Sequence, residues 1–454
     1  MIRAVLVVSS ILAIAACQSD KPSASEESTP SGIKYTLLHM PRHEDVTIHV
    51  AWPTDWAYRQ ETKKAAALVG MELILAGGAE GFPAGEAAEL FADLESEGYI
   101  YNGAQGHVIG ELTFPREHLS KTIEIANAHL RNPTLDKLWF ERIRDGFEQN
   151  INEARTHPTE AGFDTIRWAV FGTQPIRNAL SFDDPNTFKT LEREDVVRWH
   201  QEIFTRQPEA IVVAGSLNAA EAGSAVDSLL AGLTETKRPI GRDVKPNFAP
   251  RRIVLHKPDA QTTSVTFIAP LPPSRLGSEF EDLILIDVLG GGDQSILFDT
   301  VRTQLRASYG FDAGISDYSR ELRFLYMTGE VETALAAKAE RSIVEAYKDF
   351  KLAGANESIS IQKDSLEKYV SDLGGFVVDQ AQVELQFALN DLPPGSSLKL
   401  SGMLSEVSKK TVNNRLHEYF PSHDQFIIVA TSPDADALPG ACIISTPQDA
   451  LNCP

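Results

Sequence analysis

Residues 211–219 read IVVAGSLNA, and residues 427–435 read IIVATSPDA. Each opens with an apolar, β-branched run of the kind that forms a buried strand. The two lie 216 positions apart, and that spacing recurs along the chain. YTLLHMP (35–41) echoes RIVLHKP (252–258), which places His39 and His256 217 positions apart. VTIHVAWP (46–53) echoes VTFIAPLP (265–272) at an offset of 219, and WHQEIF (199–204) echoes LHEYF (416–420). Four matches in one order at a nearly constant offset mark an internal duplication. So long a period excludes a solenoid. It gives two homologous domains of roughly 200 residues each.

Both halves read alike. Strand-type runs such as VTIHVAW and SVTFIAP open them, and helical stretches such as KTIEIANAHL (121–130) and AAKAERSIVEAYKDF (336–350) follow. A buried-type strand closes each. Strands, then helices, then a strand, without regular βαβ alternation, predict an α+β fold. The Pro-rich, basic stretch at 236–250 reads as the linker between a first domain (33–235) and a second (251–440), with a C-terminal tail at 441–454. The formal charge of −21 disfavours nucleic acid as a partner, because an acidic surface repels phosphate backbones.

The first 17 residues place one positive charge, Arg3, before an apolar run too short for a comfortable membrane span. They read as a secretory signal. Ala15 and Ala16 before Cys17 resemble a bacterial lipoprotein box, which implies cleavage before Cys17 and a lipid on its sulfur. Gln18 at the next position implies outer-membrane sorting by the same resemblance. Residues 18–32, rich in Ser, Pro and Glu, read as a flexible tether. The two remaining cysteines, Cys442 and Cys453, are disulfide candidates in an oxidising compartment.

The chemistry turns on LGGGDQSILFDTVRTQLRASYG (289–310). A triple glycine followed by S-x-L-F, an arginine and a tyrosine, opening the second of two duplicated α+β domains, resembles the pitrilysin/insulinase family of zinc peptidases, the inverzincins. The resemblance covers residues 33–440. It implies two α+β domains forming half of a clam-shell chamber. It also implies an H-x-x-E-H helix in the first domain, whose histidines bind zinc with a distant glutamate and whose own glutamate activates water.

Here that helix aligns with AAALVGMELILAGGA (65–79), which puts Leu68 and Glu72 at the histidine positions and Met71 at the general base. Leucine cannot bind a metal and methionine cannot take a proton. The third-ligand segment aligns with FERIRDGFEQNINEA (140–154), where the position falls on Glu148 or Asn150. One carboxylate cannot replace the missing pair, so no metal site is expected in this chain. His39 and His43 are the one i,i+4 histidine pair, and Pro41 between them breaks a shared helical face. No G-x-S-x-G elbow occurs, and Ser295 beside the glycines has no base that pairs with it.

By resemblance, Arg302 and Tyr309 match the pair that reaches from the second domain toward substrate opposite zinc. Seven residues apart, they share a face if one helix runs through both. A guanidinium fork suits a peptide carbonyl, and a phenol suits the oxyanion formed in the transition state. Gly290, Gly291 and Gly292 read both as a tight turn and, by resemblance, as a substrate-binding loop. The glycine run lacks the lysine of a phosphate-binding loop. EGYIYNGAQGH (97–107) resembles the family's substrate-pairing edge strand in degenerate form. Some family members divide the work between two chains, one with zinc and one with the Arg/Tyr pair. This sequence has the second pattern. The expectation is a lipid-anchored, periplasm-facing, non-zinc subunit of a heterodimeric zinc metallopeptidase, inactive alone. Its partner would carry zinc and H-x-x-E-H, and polypeptides would be the substrates. The competing expectation is an inactive family member that serves as a scaffold or peptide-binding protein.

Overall fold

The computed structural model describes residues 21–103, 106–181, 187–235, 239–274, 279–308, 310–319, 321–355 and 359–454. The signal segment with Cys17, part of the linker, and Tyr309 lie outside the described residues.

Among the described residues, twelve strands form two six-stranded sheets. The first holds β1 (Ser23–Ser28), β2 (Lys34–His39), β3 (Asp45–Pro53), β4 (Glu97–Gly103), β5 (His107–Pro115) and β6 (Ala210–Gly215), in the order β1-β2-β6-β3-β5-β4. The second holds β7 (Arg251–His256), β8 (Thr263–Leu271), β9 (Phe311–Ser319), β10 (Leu322–Val331), β11 (Ile427–Ser432) and β12 (Cys442–Ile444), in the order β12-β7-β11-β8-β10-β9. Beyond the edge strands β1 and β12, the two orders are the same. The central strand pairs β2/β6 and β7/β11 are both parallel. Three of the sequence echoes fall on equivalent strands and the fourth on helices ending at Ile203 and Tyr419, so the α+β duplication is a property of the fold.

The first half also carries helices α1 (Ala65–Ala76), α2 (Ala87–Ala92), α3 (Leu119–Arg131), α4 (Lys137–Ala154), α5 (Pro158–Phe171), α6 (Ile176–Ser181), α7 (Arg193–Ile203) and α8 (Ala219–Leu229). The second carries α9 (Phe280–Gly290), α10 (Ile296–Phe298), α11 (Ala336–Ala353), α12 (Ile359–Leu373), α13 (Val377–Leu389), α14 (Leu400–Ser405) and α15 (Lys409–Tyr419). One face of each sheet packs on helices of its own half. Val46, Ile48, Val50 and Trp52 of β3 join α1, α3, α7 and α8 in one core. Val265, Phe267 and Ala269 of β8 join α9, α11 and α15 in the other.

The opposite faces are covered crosswise. Val377, Ala381 and Leu385 of α13, from the second half, lie on Leu38, Met40, Ala51, Val212 and Ala214 of the first sheet. Ile166, Ala169 and Val170 of α5, from the first half, pack with Ile253, Leu255, Ile268 and Val429 of the second sheet. With both faces covered, the central strands are buried throughout, which is why they read as continuous apolar runs.

The stretch expected to be a flexible tether is in fact structured from Ser23. Strand β1 pairs antiparallel with β2 over its whole length, and Ser31 N donates to Asp227 Oδ2 at 2.9 Å. Its Ser/Glu composition reflects a solvent-facing edge strand, where polar side chains block further pairing. The described part of the linker is laid against the first half: Gly241 N donates to Asp55 Oδ2 (3.2 Å), Lys245 N to Gln174 Oε1 (2.7 Å) and Asn247 N to the Val170 carbonyl (2.8 Å). Cys442 and Cys453 are joined by a disulfide, and the 3-10 turn between them (Pro447–Asn452) sits beside α5. Among the described residues no helix is long and apolar enough to cross a membrane.

Candidate functional site

Helix α1 stands where the resemblance puts the metal-binding motif. Its inner face buries Ala65, Ala66, Val69, Leu73 and Ile74. At Gly70 the helix meets α7 so closely that a Cβ would lie 2.4 Å from Cζ3 of Trp199. Gly77 and Gly78 end it, the latter at φ +73°. The outer face, Leu68, Met71, Glu72, Leu75 and Ala76, lines a cavity of about 560 Å³. Phe91 of α2, residues 98–102 of β4, and Trp139 and Phe147 of α4 complete the walls.

This lining does not fit zinc, which takes sulfur from cysteine, nitrogen from histidine or oxygen from carboxylates. Leu68 and Met71 supply no such donor, and Glu72 is the one carboxylate among the lining residues. Of the two positions left open for the third ligand, Glu148 pairs with Lys189 (3.6 Å) and Asn150 is exposed. Among the described residues, no three His, Cys, Asp or Glu side chains are grouped to hold a metal. His39 Nδ1 lies 3.1 Å from the Leu217 carbonyl at the end of β2, a structural contact.

In the second half, α9 is the repeat of α1. Asp282 fixes its start, accepting from Arg323 Nη2 of β10 (3.1 Å) and from Arg415 Nε of α15 (2.7 Å). The glycines at its end are required by packing. A Cβ on Gly290 would stand 2.2 Å from the Ala313 backbone nitrogen in β9, and one on Gly291 would overlap the Asp287 carboxylate. Gly292 has φ +117° with open space around it. Ser295 is buried and caps α10, its Oγ accepting from Phe298 N at 3.3 Å. That explains the serine without a nucleophilic role.

Arg302 is exposed on a π-helical turn, Asp299–Gln304. The helix does not continue to 309, contrary to the condition under which Arg302 and Tyr309 share a helical face. The turn ends at Leu305, Arg306 takes φ +54°, and Ala307 N returns to the Val301 carbonyl at 3.0 Å. Tyr309 lies outside the described residues.

Two features were not legible as sites in the sequence. The aromatic wall of the cavity, Phe91, Trp139 and Phe147, is drawn from two helices about 50 positions apart. On the reverse face of the first sheet, His49 is fully buried, with both ring nitrogens unpaired and Nε2 3.8 Å from Glu111 Oε2. Burial lowers the His49 pKa to about 4. It also raises that of Glu111, which the charges of Glu97 and Asp379 push up further while the Tyr101 hydroxyl, donating at 3.3 Å, opposes.

Residues 190–370 match the family model described as the peptidase M16 inactive domain. That stretch, most of it in the second half, is what the chain shares with the model. Its fold extends the likeness over nearly the whole chain. The peptidase M16 inactive domain from Pseudomonas fluorescens superimposes with a TM-score of 0.76 at 14% identity, covering 90% of this chain and 98% of that one. A protease from Helicobacter pylori gives 0.73 at 14%, covering 91% and 100%. The periplasmic protease PqqL from Escherichia coli gives 0.67 at 12%, covering 94% of this chain but 50% of PqqL. This chain therefore spans half of PqqL. No curated protein matches in sequence. The match agrees with the insulinase-type resemblance.

Proposed function

We propose that this chain is the non-zinc subunit of a heterodimeric zinc peptidase, anchored by a lipid on Cys17 to the periplasmic face of the outer membrane. The observation that carries the proposal is the asymmetry between its repeats. Helix α1 keeps a single carboxylate, Glu72, where the motif has two histidines and a glutamate, while α9 leads into the glycines, Arg302 and Tyr309 in the family's register. The likeness of this chain to half of PqqL supports a partner of similar size. In the assembled pair the Arg302 guanidinium would grip the carbonyl of an extended polypeptide, and the Tyr309 hydroxyl would donate to the developing oxyanion. The zinc and the water-activating glutamate belong to the partner.

The test is to purify the chain from its native membrane and measure metal together with any co-purifying protein. A stoichiometric H-x-x-E-H chain with one zinc per pair is the expected result, and Arg302→Ala should then lower kcat of the pair by about 10²–10³-fold. A chain that purifies without such a partner removes this reading.

The apolar cavity favours a second reading, a peptide-binding or scaffold protein of the envelope. A partner that supplies zinc does not need the vacated metal position to be a formed cavity of ligand size.

A further inference from the structure

We infer that the cavity on α1 is a binding site in its own right, for a peptide segment that carries a large apolar side chain between basic residues. The inference rests on the second reading above and names its ligand class. The floor is Leu68, Met71 and Leu75, and the walls include Phe91, Ile100 and Trp139. At about 560 Å³ it lies within the ~300–1,000 Å³ range of ligand pockets. Apolar surface of this kind gains about 25 cal/mol per Å² on leaving water, so an apolar group is its natural occupant.

Charge selects among apolar occupants. Glu72 lines the cavity, and Glu86 and Glu89 flank the lining residues of α2; all three are exposed. A cation already rests on the lining: Arg142 lies 4.9 Å over the Trp139 ring. Carboxylates beside electron-rich rings favour lysine or arginine next to the apolar side chain and reject an acidic peptide. The replacement of the metal motif by Leu68 and Met71 thus exchanges a cation site for an apolar floor with an anionic rim.

The test uses the purified chain with a fluorescently labelled nonapeptide holding one central Phe between pairs of Lys. Fluorescence anisotropy should show saturable binding that weakens at high salt. Replacing Phe by Ser, or every Lys by Glu, should weaken it at least about tenfold. Ala88→Trp, which fills the cavity from the exposed face of α2, and Glu72→Lys, which reverses the rim, should do the same with unchanged melting temperatures. Binding that ignores both protein variants and the Lys-to-Glu exchange would overturn this site while leaving peptide binding intact. No binding of any of the peptides would overturn the site and the second reading together.

Discussion

His49 shows what burial does to one side chain. Its neutral ring lies between β3 and α13 without a hydrogen bond, and its pKa falls from an ordinary value of 6.5 to about 4. Between those values the unfolded chain takes up a proton that the folded chain refuses, so stability is full above pH 6.5 and is lost as pH falls toward 4. Its share of the loss reaches about 3 kcal/mol at most. Glu111 acts in the opposite sense, because its raised pKa makes the folded state hold a proton more tightly as pH falls. His129 and His200, also lowered by burial, add to the loss in any variant that keeps them. Thermal melts of the parent and His49→Leu at pH 7 and pH 5 should therefore show a smaller fall in Tm for the variant; equal falls would mean that His49 carries none of it. Gly290 makes a second case. Alanine for glycine inside a helix normally gains about 0.5–1 kcal/mol, but here the new methyl meets the β9 backbone. Gly290→Ala should lose about 1–3 kcal/mol in denaturant titrations. A gain would mean that the close approach of α9 to β9 is not needed for folding, and that the glycine serves something else.

At the scale of elements, legibility followed burial. Strands covered on both faces announced themselves as apolar runs, and their repeat located β2/β7, β3/β8 and β6/β11 without structural help. Elements with exposed faces did not. Strand β1 looked like tether because SASEES offers no apolar face, and what orders it is backbone pairing with β2, which leaves no mark in composition. The π-helical turn at 299–304 was equally silent, since the pattern around Arg302 fits a plain helix up to the point where Arg306 turns left-handed. The tail was legible only as a cysteine pair. In the fold, the disulfide between them closes β12 and the following 3-10 turn into one loop beside α5, at the edge of the second sheet. Replacing both cysteines by serine should lower stability by about 3 kcal/mol in the loop-entropy account. Reductant should bring the parent down to the same midpoint, and a parent indifferent to reductant would show that the loop holds without its bond.

For the molecule as a whole, the duplicated sequence invites a division into two independent domains, and the crossed helices argue against it. The first sheet hides Leu38, Met40, Ala51, Val212 and Ala214 under α13, which the chain delivers only after residue 376. The second hides Ile253, Leu255, Ile268 and Val429 under α5, which comes before residue 172. Cutting at the linker would leave each half with an apolar sheet face in water, and exposed faces of that kind associate. The sequence could not show this, because α5 and α13 carry helical periodicity whichever sheet they cover. Expressed alone, residues 33–235 and residues 251–454 should each be aggregated or poorly soluble. Co-expressed, they should recover a soluble 1:1 complex by size-exclusion chromatography. Asp at Ala381, which is fully buried where α13 meets the first sheet, should prevent that recovery by placing an unpaired carboxylate in the seam. Two soluble, monomeric halves would instead mean that the crossed helices are incidental, and that the repeats fold as the separate domains their sequence suggests.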